Sequence, residues 1–109
     1  MTTTRVGQVI RVRPDAIEDY ERIHVAVWPG VLAAIRRANI RDYSIHRYGE
    51  LLFATYRHDG DDLAGDLAAM AADPVVKEWW THTDAMQEPV PERLPGEWWH
   101  TIPEVFHAD

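Results

Sequence analysis

The sequence predicts an α+β domain whose elements run β-α-β-β-α-β, on three observations. Strand-like alternation of apolar and polar residues recurs in four stretches. Helical periodicity fills the gaps after the first and third of them. A two-residue Gly49-Glu50 turn joins the middle pair of strands as a hairpin.

The first strand spans 5–13, with Val6, Ile10 and Val12 on one side, joined there by Gln8, and Val9 on the other. Pro14-Asp15 ends it, and Asp15 is the expected N-cap of the next helix. From 16 to about 38 the apolar residues follow a helical period: Ile17, Tyr20, Ile23, His24, Val27, Val31 and Ile35. Pro29 divides this stretch and takes the first-turn position of its second half, where a missing N–H costs nothing. Asn39 is the expected left-handed residue at its end. Strands are predicted over 40–48 and 51–58. Their two sides mix Ile40, Ile45, Leu51, Leu52 and Phe53 with Tyr43, His46 and Tyr56, so neither side reads as plain solvent.

Asp59-Gly60-Asp61-Asp62 is a turn and cap cluster ahead of an alanine-rich helix over 63–72, with Leu67 and Met70 inward. Asp73-Pro74 starts a further helix, Asp73 as N-cap and Pro74 at its first position; it carries Val76, Trp79-Trp80, Thr83 and Met86. Residues 88–96, with Pro89, Pro91 and Pro95, are an extended loop. The chain closes on a predicted strand over 98–106, confined by Pro103 to an edge or a bulge. This order is the split-βαβ, ferredoxin-like arrangement, with both helical layers on one face of an antiparallel sheet. The other face needs a cover, and a second subunit packing sheet to sheet supplies one.

At 109 residues, 46% of them hydrophobic, the chain is one domain over 1–109 around one core. Its formal charge of −7 and the lack of any basic run beyond Arg36-Arg37 argue against nucleic acid and anionic membrane surfaces. With no cysteine there is no disulfide framework, thiolate metal site or cysteine nucleophile. No signal-like or membrane-spanning apolar run is present in the sequence, and a cytoplasmic location is the default expectation.

The stretch most suggestive of chemistry is Tyr20-x-x-x-His24-x-x-x-Trp28-Pro29. In a continuous helix its three aromatic side chains would share one face. A phenol, an imidazole and an indole together can bind a small molecule as well as pack. A lone helical His24 can be an ordinary packing residue, but an imidazole titrating near neutrality is also what acid–base catalysis requires. Trp79 and Trp80 diverge by about 100° on a helix, so they fill one core slot and one interface, or form two walls around an apolar-faced ligand such as a sugar. Tyr43 packs with its hydroxyl wet or offers that hydroxyl to a ligand. The other histidines, His46, His58, His82, His100 and His107, show no metal-ligand spacing, and no phosphate loop, dinucleotide fingerprint or serine nucleophile motif occurs.

These blocks, with Asp73-Pro74 before Trp79-Trp80 and Glu104-Val105-Phe106 near the end, resemble the L-rhamnose mutarotase family along nearly the whole chain. The resemblance implies a homodimeric α+β barrel of two ferredoxin-like protomers that interconverts the anomers of a 6-deoxyhexose without a cofactor. It implies His24 as proton donor and Tyr20, Tyr43, Trp79 and Trp80 as sugar-binding residues; Trp28, on the stripe with Tyr20 and His24, is a candidate pocket wall. The segment from Pro89 to Pro103 departs from the rhamnose-type pattern, which leaves L-fucose as an alternative substrate. Two other classes share the architecture: cofactor-free monooxygenases with a large aromatic pocket, and non-catalytic dimeric barrels that bind a ligand.

Overall fold

A computed structural model describes residues 2–109. Its centre is β1 (Thr3–Val12), which pairs antiparallel with β3 (Leu51–Asp59) from Thr3 opposite Asp59 to Arg11 opposite Leu51. Beyond β3 lies β2 (Ile40–Tyr48), joined to it through the tight turn at Gly49, whose φ of 59° suits glycine. The other edge of β1 takes two short strands in succession. β4 (Gln87–Glu88) pairs at Arg11–Val12, and β5 (His100–Ile102) pairs at Gly7–Val9. The order β2-β3-β1-β4 is that of the ferredoxin-like sheet.

The helices are α1 (Ile17–Ile23), α2 (Pro29–Arg37), α3 (Leu63–Ala72) and α4 (Pro74–Met86). They cover the sheet face that carries Ile10, Val12, Leu52, Ala54 and Tyr56, all buried. One cluster joins Ile10, Val12 and Leu52 to Tyr20 of α1; a second joins Ile40 and Tyr56 to Ala38, with Ile35, Leu67 and Met70 against it. Burying each large aliphatic side chain contributes roughly 1.5–3 kcal/mol, so these clusters fix the helices on one face. The opposite face, through Gly7, Val9, Leu51, Phe53 and Thr55, carries no helix.

Several expected boundaries are observed. Asn39 is left-handed at φ 61°, and its backbone N–H closes the end of α2 on the Arg36 carbonyl. Asp62 caps α3 through the Gly65 N–H at 2.9 Å, and Asp73 caps α4 through the Val75 N–H at 2.8 Å.

Three expectations are corrected. The helix predicted over 16–38 is broken before Pro29: His24–Ala26 form a 3-10 turn, and Trp28 is extended at φ −58°, ψ 136°. Steric conflict with a following proline ring drives that residue out of helical geometry, so Trp28 leaves the Tyr20–His24 stripe. Asp15 lies inside a 3-10 turn, Pro14–Ala16, and makes no capping bond. The last strand, predicted over 98–106, covers only His100–Ile102 because Pro103 has no N–H for the ladder, and the two-residue β4 takes the remaining pairing on β1. The strand expected over 40–48 is observed with those bounds, and it contains a bulge: Arg41 faces Arg57 and Ser44 faces Thr55, leaving Asp42 and Tyr43 opposite Tyr56. No helix among the described residues is long and apolar enough to cross a membrane.

Candidate active site

The bulge decides what β2 shows to the helices. Ile40 faces the core, and regular alternation would put Tyr43, Ile45 and Arg47 on the bare face. One extra residue, Asp42 at φ 52°, reverses the parity so that all three face inward. They line a cavity of about 500 Å³ between β2, β3 and the helices, within the range typical of small-molecule sites.

Tyr20, His24, Tyr43, Trp79 and Trp80 all border this cavity. Apolar walls come from Val31 and Ile35 of α2, Leu52 of β3 and Val76 of α4. Trp28 is not among the lining residues. It packs edge-on against Trp79 at 5.2 Å and His82 at 5.7 Å, and so supports the Trp79 ring from behind.

His24 follows directly on α1, and its Nδ1 lies 2.6 Å from the Tyr20 carbonyl oxygen. A carbonyl only accepts, so Nδ1 carries the hydrogen, and Nε2 is the nitrogen left to give or take a proton. The imidazole lies tilted on the Tyr20 ring at 4.3 Å and meets the edge of Trp79 at 5.4 Å, which holds its plane. Tautomer and orientation are thus fixed before any ligand arrives.

Both phenols are donors at neutral pH. Tyr20 is only 3% exposed, and burial pushes its pKa up to about 12, the Gln87 hydrogen bond opposing and Asp84 adding slightly. Tyr43 is 38% exposed where it meets the cavity, yet surrounding protein desolvates its hydroxyl and raises its pKa strongly, with Tyr20 and Tyr56 nearby. Neither can serve as a base near pH 7.

Four residues at or beside the cavity were not singled out from the sequence. Arg47 lines the cavity together with Glu21. Its Nε donates to Glu21 Oε2 at 2.8 Å and its Nη1 to the Gly49 carbonyl at 3.0 Å. This pair had a signal: Glu21 adjoins Tyr20, and Arg47 shares the two-residue period of Tyr43 and Ile45. Gln87 and Trp98 had none: Gln87 reaches Tyr20 across 67 residues, and Trp98 reaches Gln87 across an irregular loop that carries no periodic pattern.

The remaining histidines lie elsewhere. His58 is wholly buried, with Nε2 2.7 Å from Asp66 Oδ2, an oxygen that also accepts from Asn39 Nδ2 at 3.0 Å. These bonds, His58 first, hold the Asp66 carboxyl below its usual range and tie β3 to α3. His100 Nδ1 pairs with Glu97 at 2.8 Å. Among the described residues no group of three or more His, Asp or Glu is placed to hold a metal.

A curled antiparallel sheet, helices on one face and an aromatic cavity around an oriented imidazole define a small α+β protein with a pocket of small-molecule size. Comparison with known proteins narrows this class. The sequence model described as L-rhamnose mutarotase matches residues 5–108, and the chain belongs to that family. It is 36% identical to the L-rhamnose mutarotase of Verminephrobacter eiseniae, covering all of both chains. It is 32% identical to an L-fucose mutarotase of Xanthomonas campestris pv. campestris, over 97% of this chain and 89% of that one. Among solved structures, the L-rhamnose mutarotase of Formosa agariphila aligns with a TM-score of 0.74 at 21% identity, covering 97% of this chain and 99% of that one. At that identity the likeness concerns the fold.

Proposed function

We propose that this chain is a cofactor-independent mutarotase that interconverts the α and β anomers of a 6-deoxyhexose, with L-rhamnose as the first substrate. The observation that carries the reading is His24, fixed as a single tautomer with Nε2 left free at the wall of an aromatic cavity. Mutarotation needs little more. The anomeric hydroxyl loses its proton to water, the C1–O5 bond breaks, and the ring oxygen gains a proton. Rotation about C1–C2 followed by the reverse steps closes the ring on the other face.

In this reading protonated His24 gives its Nε2 proton to the ring oxygen and recovers it on closure. Tyr20 and Tyr43, protonated at neutral pH, donate hydrogen bonds to sugar oxygens. Trp79 and Trp80 pack against the apolar C–H face of the pyranose, an arrangement suited to indole rings. The mutarotase names of the relatives support the reaction type, and the name of the Xanthomonas relative keeps L-fucose as a second substrate.

The test is NMR exchange between the α and β anomeric signals of L-rhamnose, and then L-fucose, with catalytic protein. Wild type should accelerate exchange of one sugar, and His24→Ala should lose about 100-fold or more of that acceleration, within the usual contribution of a positioned acid–base group. Undiminished exchange with His24→Ala would remove the histidine from the mechanism.

The same reading makes the protein a homodimer. Val9, Leu51, Phe53 and Ile102 are only partly buried on the sheet face that no helix covers, beside exposed Tyr48. A second copy laid across this face closes two half-barrels into one.

A further inference from the structure

Gln87 stands where α4 ends and β4 begins, 67 residues from Tyr20 in sequence and 2% exposed. Its carboxamide lies between two side chains. Nε2 donates to the Tyr20 hydroxyl at 3.1 Å, and Oε1 accepts from the Trp98 indole Nε1 at 2.9 Å. An indole N–H can only donate, so the carboxamide has one possible orientation: oxygen to Trp98, NH2 to Tyr20. The Tyr20 oxygen is therefore the acceptor in its bond to Gln87. Its own proton is left over, and among the described residues no hydrogen bond uses it.

We propose that Gln87, held by Trp98, is a positioning residue that keeps the Tyr20 hydroxyl as a hydrogen-bond donor to an oxygen of the bound sugar. The proposal rests on the mutarotase reading for the identity of the ligand. The His24 and Tyr20 rings are 4.3 Å apart, so one pyranose touching His24 is within reach of the phenol. Donation from Gln87 also polarises the phenol and strengthens its own donation, as in other hydrogen-bonded chains. An apolar residue at 87 would fill the space between Tyr20 and Trp98, but it would leave the direction of the phenol O–H unset. Trp98 belongs to the loop that follows β4, and that loop is clamped by Glu97. One Glu97 oxygen accepts from the Leu94 N–H at 2.7 Å and from His100 Nδ1 at 2.8 Å; the other accepts from the Thr101 N–H at 3.2 Å. The C-terminal segment thus acts on the cavity through one side-chain relay, without lining it.

Gln87→Glu tests this with almost no change in shape. A carboxylate cannot donate, so Tyr20 must turn its proton toward the carboxylate and away from the sugar. Sugar affinity, read by tryptophan fluorescence, and the rate of anomer exchange should each fall about tenfold, the scale of one lost hydrogen bond in a buried site. The ratio of variant to wild type should then recover as the pH is lowered and the introduced carboxyl becomes a donor again. Gln87→Met, which removes both polar groups, should lose affinity without acid recovery. A folded Gln87→Glu with wild-type affinity, or a ratio flat with pH, overturns the proposal. Should Gln87→Glu fail to fold, Trp98→Phe frees the carboxamide to reverse, and unchanged sugar binding by that variant overturns it as well. A wild type that binds the sugar without speeding exchange sinks the mutarotase reading, and the affinity measurements still decide the relay. A wild type that binds no 6-deoxyhexose removes both.

Discussion

Tyr20 takes part in three separate arrangements: it belongs to the core, borders the cavity, and presents its carbonyl to His24 and its hydroxyl to Gln87. Burial raises its phenol to about 12, from 10.0 for an unperturbed tyrosine. A folded pKa above the unfolded one means that the contribution to stability is complete below pH 10 and is lost as the pH rises through about 12. The tyrosinate absorbance of Tyr20, measured as the difference between wild type and Tyr20→Phe, should therefore be absent at pH 10 and appear near pH 12 or with alkaline unfolding. Ionisation at the ordinary value would show that the phenol is hydrated rather than buried. Tyr20, His24, Tyr43, Trp79 and Trp80 were all legible as candidates, because a polar aromatic on a helical or strand period stands out against aliphatic neighbours. Trp28 was placed in the same set by assuming an unbroken helix, and the pre-proline geometry sends it behind Trp79 instead.

Among the elements, β2 depends most on one backbone irregularity. On paper its two sides mixed apolar and aromatic residues, with Ile40 on the even positions and Tyr43 and Ile45 on the odd ones. That mixture was the mark of a bulge, since no regular strand can turn Ile40 and Tyr43 to the same face. Asp42 holds the bulge at φ 52°, a conformation easy for Gly or Asp and strained for a β-branched residue. Its side chain also pairs with Arg57, but both are exposed and such a pair contributes little. Asp42→Gly should accordingly leave thermal stability and the cavity nearly unchanged, whereas Asp42→Val should lose about 1–2 kcal/mol in denaturant unfolding. Equal stability of the two variants would mean that the backbone at 42 is not under this constraint. A similar constraint operates at Gly30, where an added Cβ would sit 2.8 Å from Val75 Cγ1, so glycine sets the close approach of α2 to α4.

For the whole molecule, the outstanding feature is the asymmetry of the sheet. One face is buried under four helices; the other presents Val9, Phe53, Leu51 and Ile102 without a helix over them, and Val105 and Phe106, after Pro103, are almost fully exposed. Sedimentation should give a dimer, and Phe53→Glu, at the middle of the bare face opposite Val9, should give a monomer with unchanged far-UV circular dichroism. A wild-type monomer at micromolar concentration would refute the sheet-to-sheet assembly. Retained anomer exchange in a monomeric Phe53→Glu would show that each cavity is complete within its own chain.

The element order apart from β4 and the break at 24–28, the two proline-started helices, the hairpin and the set of aromatic candidates were determined by the sequence alone. Each depends on local terms: the period of apolar residues, the missing N–H of proline, the caps at Asp62 and Asp73, and the left-handed tolerance of Asn39 and Gly49. Tertiary structure decided the rest. Gln87 meets Tyr20 and Trp98 only because β4 and the loop after it return along β1, and Glu21 meets Arg47 only because the bulge turns β2 inward. The final strand was shortened for a comparable reason, as the edge of β1 is shared between two separate segments. Local periodicity says which face of an element is apolar; which distant side chain supplies a buried phenol with its hydrogen-bond partner is settled only when that burial makes an unpaired polar group costly.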